Sequence, residues 1–344
     1  MPIRVAIDAM GGDNAPDVVI EGAIAAVNRT PDELEVILVG REDQINACLE
    51  AGDGDLTTIL PEGVSILHAE DVIEMAESPS VALKTKRNSS IHLGLGLLAK
   101  KEADAFVSAG NTGAVMAASV FVPGRIEGVS RPSIASYYPT AKGFCVVLDV
   151  GANVDCKPEN LVQFAQMGKV FMERVHSRKN PTIALLNIGE EPGKGNELVK
   201  EAYKLLDAAP GLNFVGNMEG GDLMNHGADL VVCDGFVGNV VLKLGESVSS
   251  ILVGMLQEEV AKLKLNWDER ATVARVVGTV QKKFNYEEYG GAPLLGIKGN
   301  VLIGHGRASA RAIERLIVAG ANVAREKVSA SISEAINSSQ TAAS

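Results

Sequence analysis

The stretch Arg4-Val5-Ala6-Ile7-Asp8-Ala9-Met10-Gly11-Gly12-Asp13-Asn14-Ala15-Pro16, continuing as DVVIEGAIAAVN to Asn28, decides the fold. Its opening apolar run, Arg4–Ile7, has the length and β-branching of a buried strand. The Gly/Asp/Asn cluster that follows is turn chemistry, and Pro16 suits the first turn of the helix predicted over 16–28. The same grammar recurs along the chain. Apolar runs at Glu35–Val39, Val64–Leu67, Ala105–Val107, Gly143–Leu148, Thr182–Leu186, Asn213–Val215, Leu230–Val232 and Asn300–Ile303 alternate with helical segments, among them 43–50, 90–100, 113–121, 159–175, 197–208 and 308–325. Strand, glycine turn and helix in repetition predict an α/β fold, a mainly parallel sheet wrapped by helices, as one catalytic unit over residues 1–328. The exception is 246–288, which reads as two long helices without a strand between them, broken near Leu265-Asn266-Trp267-Asp268 with Asp268 as N-cap. Such a hairpin is expected to protrude. The tail 329–344, SASISEAINSSQTAAS, reads as disordered.

Composition narrows the function. The 344 residues carry 32 Lys+Arg against 43 Asp+Glu, a net charge of −11, and only 4% aromatics. Nucleic acid needs a basic footprint and stacking platforms, so it is excluded as a general partner. The four cysteines (Cys48, Cys145, Cys156, Cys233) are scattered without a CxxC pair, which points to a reducing, cytoplasmic setting and no metal site. The N-terminus is too poor in apolar residues for a signal peptide, and no uninterrupted apolar run reaches the ~18 residues of a spanning helix.

In open α/β sheets ligands collect beyond the carboxyl ends of the strands, where helix N-termini present free N–H groups to anions. Six turns there are rich in Gly, Asn and Asp: 8–16, with Asp8 and Asn14; 108–114, with Ser108, Gly110, Asn111, Thr112 and Gly113; 149–155, with Asn153 and Asp155; 187–197, with Lys194 and Asn196; 233–239, with Asp234 and Asn239; and 304–309, with His305. Together they predict an anion-binding cleft. The basic run from Lys84 to Arg87 stands out in an acidic chain and is read either as an anion contact or as a solvated loop. Gly94-Leu95-Gly96 falls inside a helical segment and is a poor dinucleotide fingerprint. The glycines around Lys194 lack P-loop spacing, and no nucleophile elbow is present. Cofactors and metals are not expected.

The strings AIDAMGGDNAP (6–16), SAGNTGA (108–114), RPSIA (131–135), LDVGAN (148–153), LLNIGEE (185–191), GKGNE (193–197), FVGNMEG (214–220), CDGFVGN (233–239) and EYGGAPLLG (288–296) resemble, in order and nearly end to end, the phosphate acyltransferases of bacterial phospholipid synthesis, the PlsX family. The resemblance implies a fold like that of isocitrate and isopropylmalate dehydrogenases and similar to phosphotransacetylase. It implies transfer of a long-chain fatty acyl group from acyl-carrier protein to inorganic phosphate, with the acyl phosphate passed to a membrane glycerol-3-phosphate acyltransferase. A homodimer associated peripherally with the membrane is implied as well. On this reading Lys194 and the 108–113 loop hold phosphate, Asn196 and Asn239 orient or stabilise the tetrahedral intermediate, and Asp8 and Asp234 order the cleft or manage a proton. Asn14, Lys84, Arg87, Asn153, Asp155 and His305 complete the substrate contacts. The hairpin is read either as buried in a dimer or in the core, or as offering its tip, Leu263, Leu265 and Trp267 beside Lys262, Lys264, Arg270, Arg275, Lys282 and Lys283, to a membrane or to the acidic carrier protein.

Overall fold

A computed structural model describes residues 1–51, 60–263, 265–284 and 289–343. In chain order these form β1 (Ile3–Asp8), α1 (Asp17–Arg29), β2 (Leu34–Gly40), α2 (Glu42–Ala51), β3 (Val64–His68), α3 (Pro79–Thr85), α4 (Ser90–Ala99), β4 (Ala105–Ser108) and α5 (Thr112–Phe121). Next come β5 (Ser133–Thr140), β6 (Gly143–Leu148), α6 (Pro158–Val175), β7 (Thr182–Leu186), α7 (Glu197–Asp207), β8 (Asn213–Met218), α8 (Gly220–Asn225) and β9 (Leu230–Val232). The chain finishes with α9 (Gly235–Lys262), α10 (Trp267–Phe284), β10 (Ala292–Leu295), β11 (Asn300–Ile303), α11 (Ala310–Arg325) and α12 (Val328–Ala343).

Where the sequence reads as one unit, the chain forms two compact ones. The first comprises Met1–Ala135, Gln166–Asn180 and Tyr289–Ser344; the second comprises Ser136–Ala165 and Pro181–Glu288. The chain passes between them four times, and no composition break marks the passages.

In the first unit β3, β2, β1, β4 and β11 lie side by side in parallel register, with Ile7 opposite Val107 and Ile303 opposite Ser108. β10 runs antiparallel to β11 and to the start of β5. Val5, Ala6, Ile7, Phe106 and Val107 are fully buried, as strands covered on both faces must be. α1 lies against α11 at Gly22, where a Cβ would come within 2.6 Å of Ala310 O and Ile313 Cβ. Gly94 likewise admits the Phe106 ring to the surface of α4.

In the second unit β6, β9, β7 and β8 form a parallel set, with Leu148 opposite Val232 and Val232 opposite Leu185. α9 and α10 follow with no strand between them and touch one another. α9 starts earlier than the sequence suggested, directly under the Asp234 cap. It is the one described helix long and apolar enough to cross a membrane, with a mean hydropathy of 1.4 over its most apolar window. The cap of α10 is Asn266 rather than Asp268: Asn266 Oδ1 accepts from Glu269 N at 3.0 Å and Glu269 Oε2 accepts from Asn266 N at 2.8 Å, a reciprocal capping box. Lys264 and residues 285–288, within the stretch read as a hairpin, lie outside the described residues.

Two further expectations are corrected. Lys84 sits in α3 rather than in a loop, and the link to α4 is confined to 86–89. The tail is helix α12 rather than disordered chain. Val328, Ile332 and Ile336, spaced by four, are 1%, 1% and 2% exposed, and Ser329 Oγ donates to Ile297 O at 2.8 Å while accepting from Gly299 N at 3.0 Å. Their apolar stripe is one residue wide and surrounded by Ser and Ala, so the compositional reading overlooked it. Ile332→Ala is therefore expected to lower stability by about 2–4 kcal/mol in urea unfolding. Exposed Glu334→Ala should change it by less than about 0.5 kcal/mol; equal small effects would return the tail to the frayed state.

Candidate active site

Three of the six turns belong to each unit. In the first, parallel register places the turns after β1, β4 and β11 next to one another. Their centre is Asp8, 2% exposed. Its Oδ2 accepts from Ser108 Oγ at 2.8 Å and its Oδ1 from Met10 N at 3.2 Å. Burial pushes the Asp8 carboxyl above the ordinary carboxylate range, while the Ser90 and Ser108 hydroxyls and the Met10 N–H draw it back. Gly11 and Gly110 are required there, because a Cβ on either would overlap the carboxylate. Ser108 is fully committed: its hydroxyl proton goes to Asp8 and its oxygen accepts from Gly110 N at 3.0 Å.

Asn111 is committed as well. It caps α5 through Oδ1, accepting from Ala114 N at 3.0 Å, and its Nδ2 donates to the carbonyls of Glu74, Met75 and Glu77. Both residues were expected to touch substrate and instead build the loop. What the loop offers an anion is the open first turn of α5 at Thr112 and Gly113. His305, half-buried, accepts through Nδ1 from Arg307 N at 3.2 Å, and Arg307 Nε lies 3.7 Å from Asp13 Oδ2. Asn14, Lys84 and Arg87 are exposed.

In the second unit the turns after β6, β9 and β7 are neighbours. Their centre is Asp149, fully buried and missed as a functional residue by sequence reasoning. Its Oδ2 accepts from Asn153 N at 2.6 Å and from Asn153 Nδ2 at 3.0 Å, and its N–H donates to Cys233 O at 3.0 Å. Gly235 N donates to Asn153 O at 2.7 Å and Gly151 N to Gly235 O at 3.0 Å, tying the two turns together. A Cβ on Gly235 would overlap the Asp149 carboxylate, and one on Gly238 would overlap the Asp149 carbonyl. The signal was available: an Asp straight after an apolar strand, as at Asp8.

Asp234 caps α9, accepting from Val237 N at 2.9 Å. One turn on, Asn239 stands exposed beside Gly151, and among the described residues its carboxamide has no hydrogen-bond partner. In the neighbouring turn Asn187 Nδ2 donates to Lys194 O at 3.1 Å. Gly195, at φ +91°, keeps clear of the Asn187 side chain. Asn196, exposed, caps α7, accepting through Oδ1 from Val199 N at 3.0 Å, and among the described residues its Nδ2 has no partner. Lys194 Nζ is half-exposed, 3.9 Å from Glu191 Oε2. Asp155 is exposed.

The expected phosphate pair, Lys194 and the 108–113 loop, thus belongs to different units. Burial pushes the Cys145 thiol up to about 12 and the Cys233 thiol well above its ordinary value, so neither supplies a thiolate. Ser89 Oγ meets His92 Nδ1 at 3.1 Å, but Ser89 is fully buried and caps α4. No group of three His, Cys, Asp or Glu side chains among the described residues is placed to hold a metal. The chemistry on offer is a lysine, carboxamides and helix N-termini, which bind and polarise but do not attack.

The family model described as fatty acid synthesis protein matches residues 3–331. Proteins named phosphate acyltransferase are 52% identical in Salinibacter ruber, over 98% of both chains, and 45% identical in Dictyoglomus turgidum, over 97% of this chain and 98% of that one. Among solved structures, a phosphotransacetylase from Streptococcus pyogenes superposes with a TM-score of 0.64 at 15% identity, covering 94% of each chain. A branched-chain phosphotransacylase from Enterococcus faecalis gives 0.53 at 15%, covering 93% and 99%. The likeness to phosphotransacetylase expected from sequence is met at the level of the fold. By the match along almost its whole length and the identity to curated relatives, the chain belongs to the fatty acid synthesis protein family and is an acyltransferase.

Proposed function

We propose that this chain transfers a long-chain fatty acyl group from acyl-carrier protein to inorganic phosphate by direct attack. A phosphate oxygen bonds to the thioester carbonyl carbon, the tetrahedral intermediate collapses with loss of the C–S bond, and the carrier thiolate takes up a proton. The products are acyl phosphate and free carrier protein. The observation that carries this reading is the carboxyl edge of the second unit. There Lys194, the Nδ2 of the exposed Asn196 and the carboxamide of Asn239, both without partners among the described residues, stand on adjacent turns with no activated side-chain nucleophile described beside them. Phosphate is already a nucleophile, so the protein has only to desolvate and place it and to stabilise the oxyanion. Relatives carrying the phosphate acyltransferase name support the acceptor.

In this scheme Lys194 neutralises phosphate, Asn196 orients it, and Asn239 donates to the oxyanion. Asp234 and Asp8 fix the helix start and the turn they cap. Asp155, exposed in the second unit, receives a further polar part of the substrates. The contacts expected of Thr112, Gly113, Asn14, His305, Lys84 and Arg87 belong to the first unit, and the Asn153 carboxamide nitrogen is spent on Asp149. The enzyme works in the cytoplasm as a homodimer held peripherally at the membrane, where a glycerol-3-phosphate acyltransferase consumes the acyl phosphate. α9 and α10 form the contacting hairpin: Leu263 and Trp267, near its turn, are 53% and 80% exposed, and Leu265 is half-buried. The fold likeness to phosphotransacetylases favours a second reading, short-chain acyl exchange with coenzyme A, which donor choice separates from the first. A dehydrogenase on a related framework is disfavoured, since Gly94 and Gly96 lie inside α4 rather than at a strand end.

In a phosphate-dependent thiol-release assay, Lys194→Ala should raise KM for phosphate roughly tenfold or more, the usual worth of a hydrogen bond to a charged group. Asn239→Ala should lower kcat by about 10²–10³, the cost of losing one oxyanion donor. Unchanged phosphate dependence in the first variant would discard the Lys194 role. Flotation with anionic liposomes checks the hairpin: Leu263→Glu with Trp267→Glu should abolish binding, and binding equal to the parent would remove the membrane contact.

A further inference from the structure

The turns at the carboxyl edge of the second unit invert the usual arrangement of polar and apolar side chains. After β6, Asn153 is 6% exposed and the next residue, Val154, is 61% exposed. After β7, Asn187 is tied to Ile188 N and Lys194 O, while Ile188 itself is 81% exposed. After β9, Asp234 caps the helix and Phe236 is 61% exposed, followed one turn along α9 by Val240 at 51% and then Leu244 at 62%. β6, β9 and β7 are adjacent, so these side chains come from three neighbouring turns. Large apolar groups gathered in water mark a binding surface.

We infer that Val154, Ile188, Phe236 and Val240 form the seat of the donor's fatty acyl chain, an inference that rests on the acyl-transfer reading above. The occupant follows from what the apolar groups are interleaved with. Lys194 and Asn239 lie in the same turns as Ile188 and Phe236. A second copy of the chain or a lipid surface seated on these residues would close over the very groups that must meet phosphate. An acyl chain does the opposite: its carbonyl has to reach Asn239, and its first methylenes must then cross whatever borders that residue. Phe236 and Val240, one helical turn apart on α9, and Leu244 a further turn on, supply an apolar track about 12 Å long on the helix. Each methylene that leaves water on such a track is worth roughly fourfold in binding, so the seat would set donor chain length.

The test compares palmitoyl and butyryl thioesters of acyl-carrier protein against the parent, Ile188→Asn and Phe236→Ser. Both positions are exposed, so folding is little affected. Binding is measured by calorimetry without phosphate and turnover by thiol release with it. The palmitoyl-to-butyryl preference should fall about tenfold or more in each variant, in binding as in kcat/KM. A preference unchanged from the parent overturns the seat. So does an altered sedimentation behaviour of the variants, which would give these residues to a second copy. If the parent binds palmitoyl carrier with a length preference that the variants lose, yet releases no thiol with phosphate, the seat stands and the transfer reading fails.

Discussion

Each unit is organised by a carboxylate buried at the end of a central strand. Asp8 ends β1 and Asp149 directly follows β6; the Asp8 carboxylate accepts from Met10 of its own turn and Ser108 of the neighbouring one, the Asp149 carboxylate from Asn153 of its own turn. A buried carboxylate without partners is prohibitively costly, so the surrounding backbone has to come to it. That demand explains the glycines. Gly11 and Gly110 around Asp8, and Gly235 and Gly238 around Asp149, occupy places where a Cβ would overlap the acidic residue itself. The turns are thereby drawn tight, and the helices they open, α5 and α9, begin where their N–H groups face the carboxyl edge.

The same constraint separates side chains spent on holding the turns from side chains left without such a task. Ser108, Asn111 and Asp149 spend their polar atoms on the protein. The exposed Asn239 and the Asn196 Nδ2 have no such partner among the described residues, and Lys194 reaches only Glu191, at 3.9 Å. Asn187 fixes the Lys194 carbonyl, the Asn196 oxygen caps α7, and Asp234 starts α9 one turn before Asn239. Capping and ligand binding draw on one short list of side chains, Asn, Asp, Ser and Thr. Composition therefore points to turns of this kind without saying which side chain in each is spent on the backbone.

The alternation of buried strand, glycine turn and helix was legible in the sequence because both periods are local: two for a strand, about 3.6 for a helix. The positions of all six turns followed from it. The division into two units was not legible, since it depends on contacts between segments as distant as 1–135 and 289–344, and nothing in the composition changes where the chain crosses. α12 escaped notice because three apolar residues four apart suffice to dock a helix when a groove awaits them, and the groove is made by β10, β11 and the turn between them. Asp149 escaped because a lone acid at a strand end looks the same whether it is buried under a glycine turn or solvated above it.

The absence of an attacking side chain at these turns follows from how the turns are made. A thiolate or an activated serine needs an open, electropositive or base-paired setting, and the strand-end thiol here, Cys233, is sealed under Gly238 with its pKa driven up by burial. Opening that position would need a gap between α9 and the Asp149 carbonyl, which Gly238 exists to close. The close packing that sets Asn239 at the edge therefore excludes a covalent route through Cys233, and an acceptor carrying its own nucleophilic oxygen is the substrate such an edge suits. Val154, Ile188 and Phe236 stand exposed on the same three turns, beside the buried polar groups that hold those turns together.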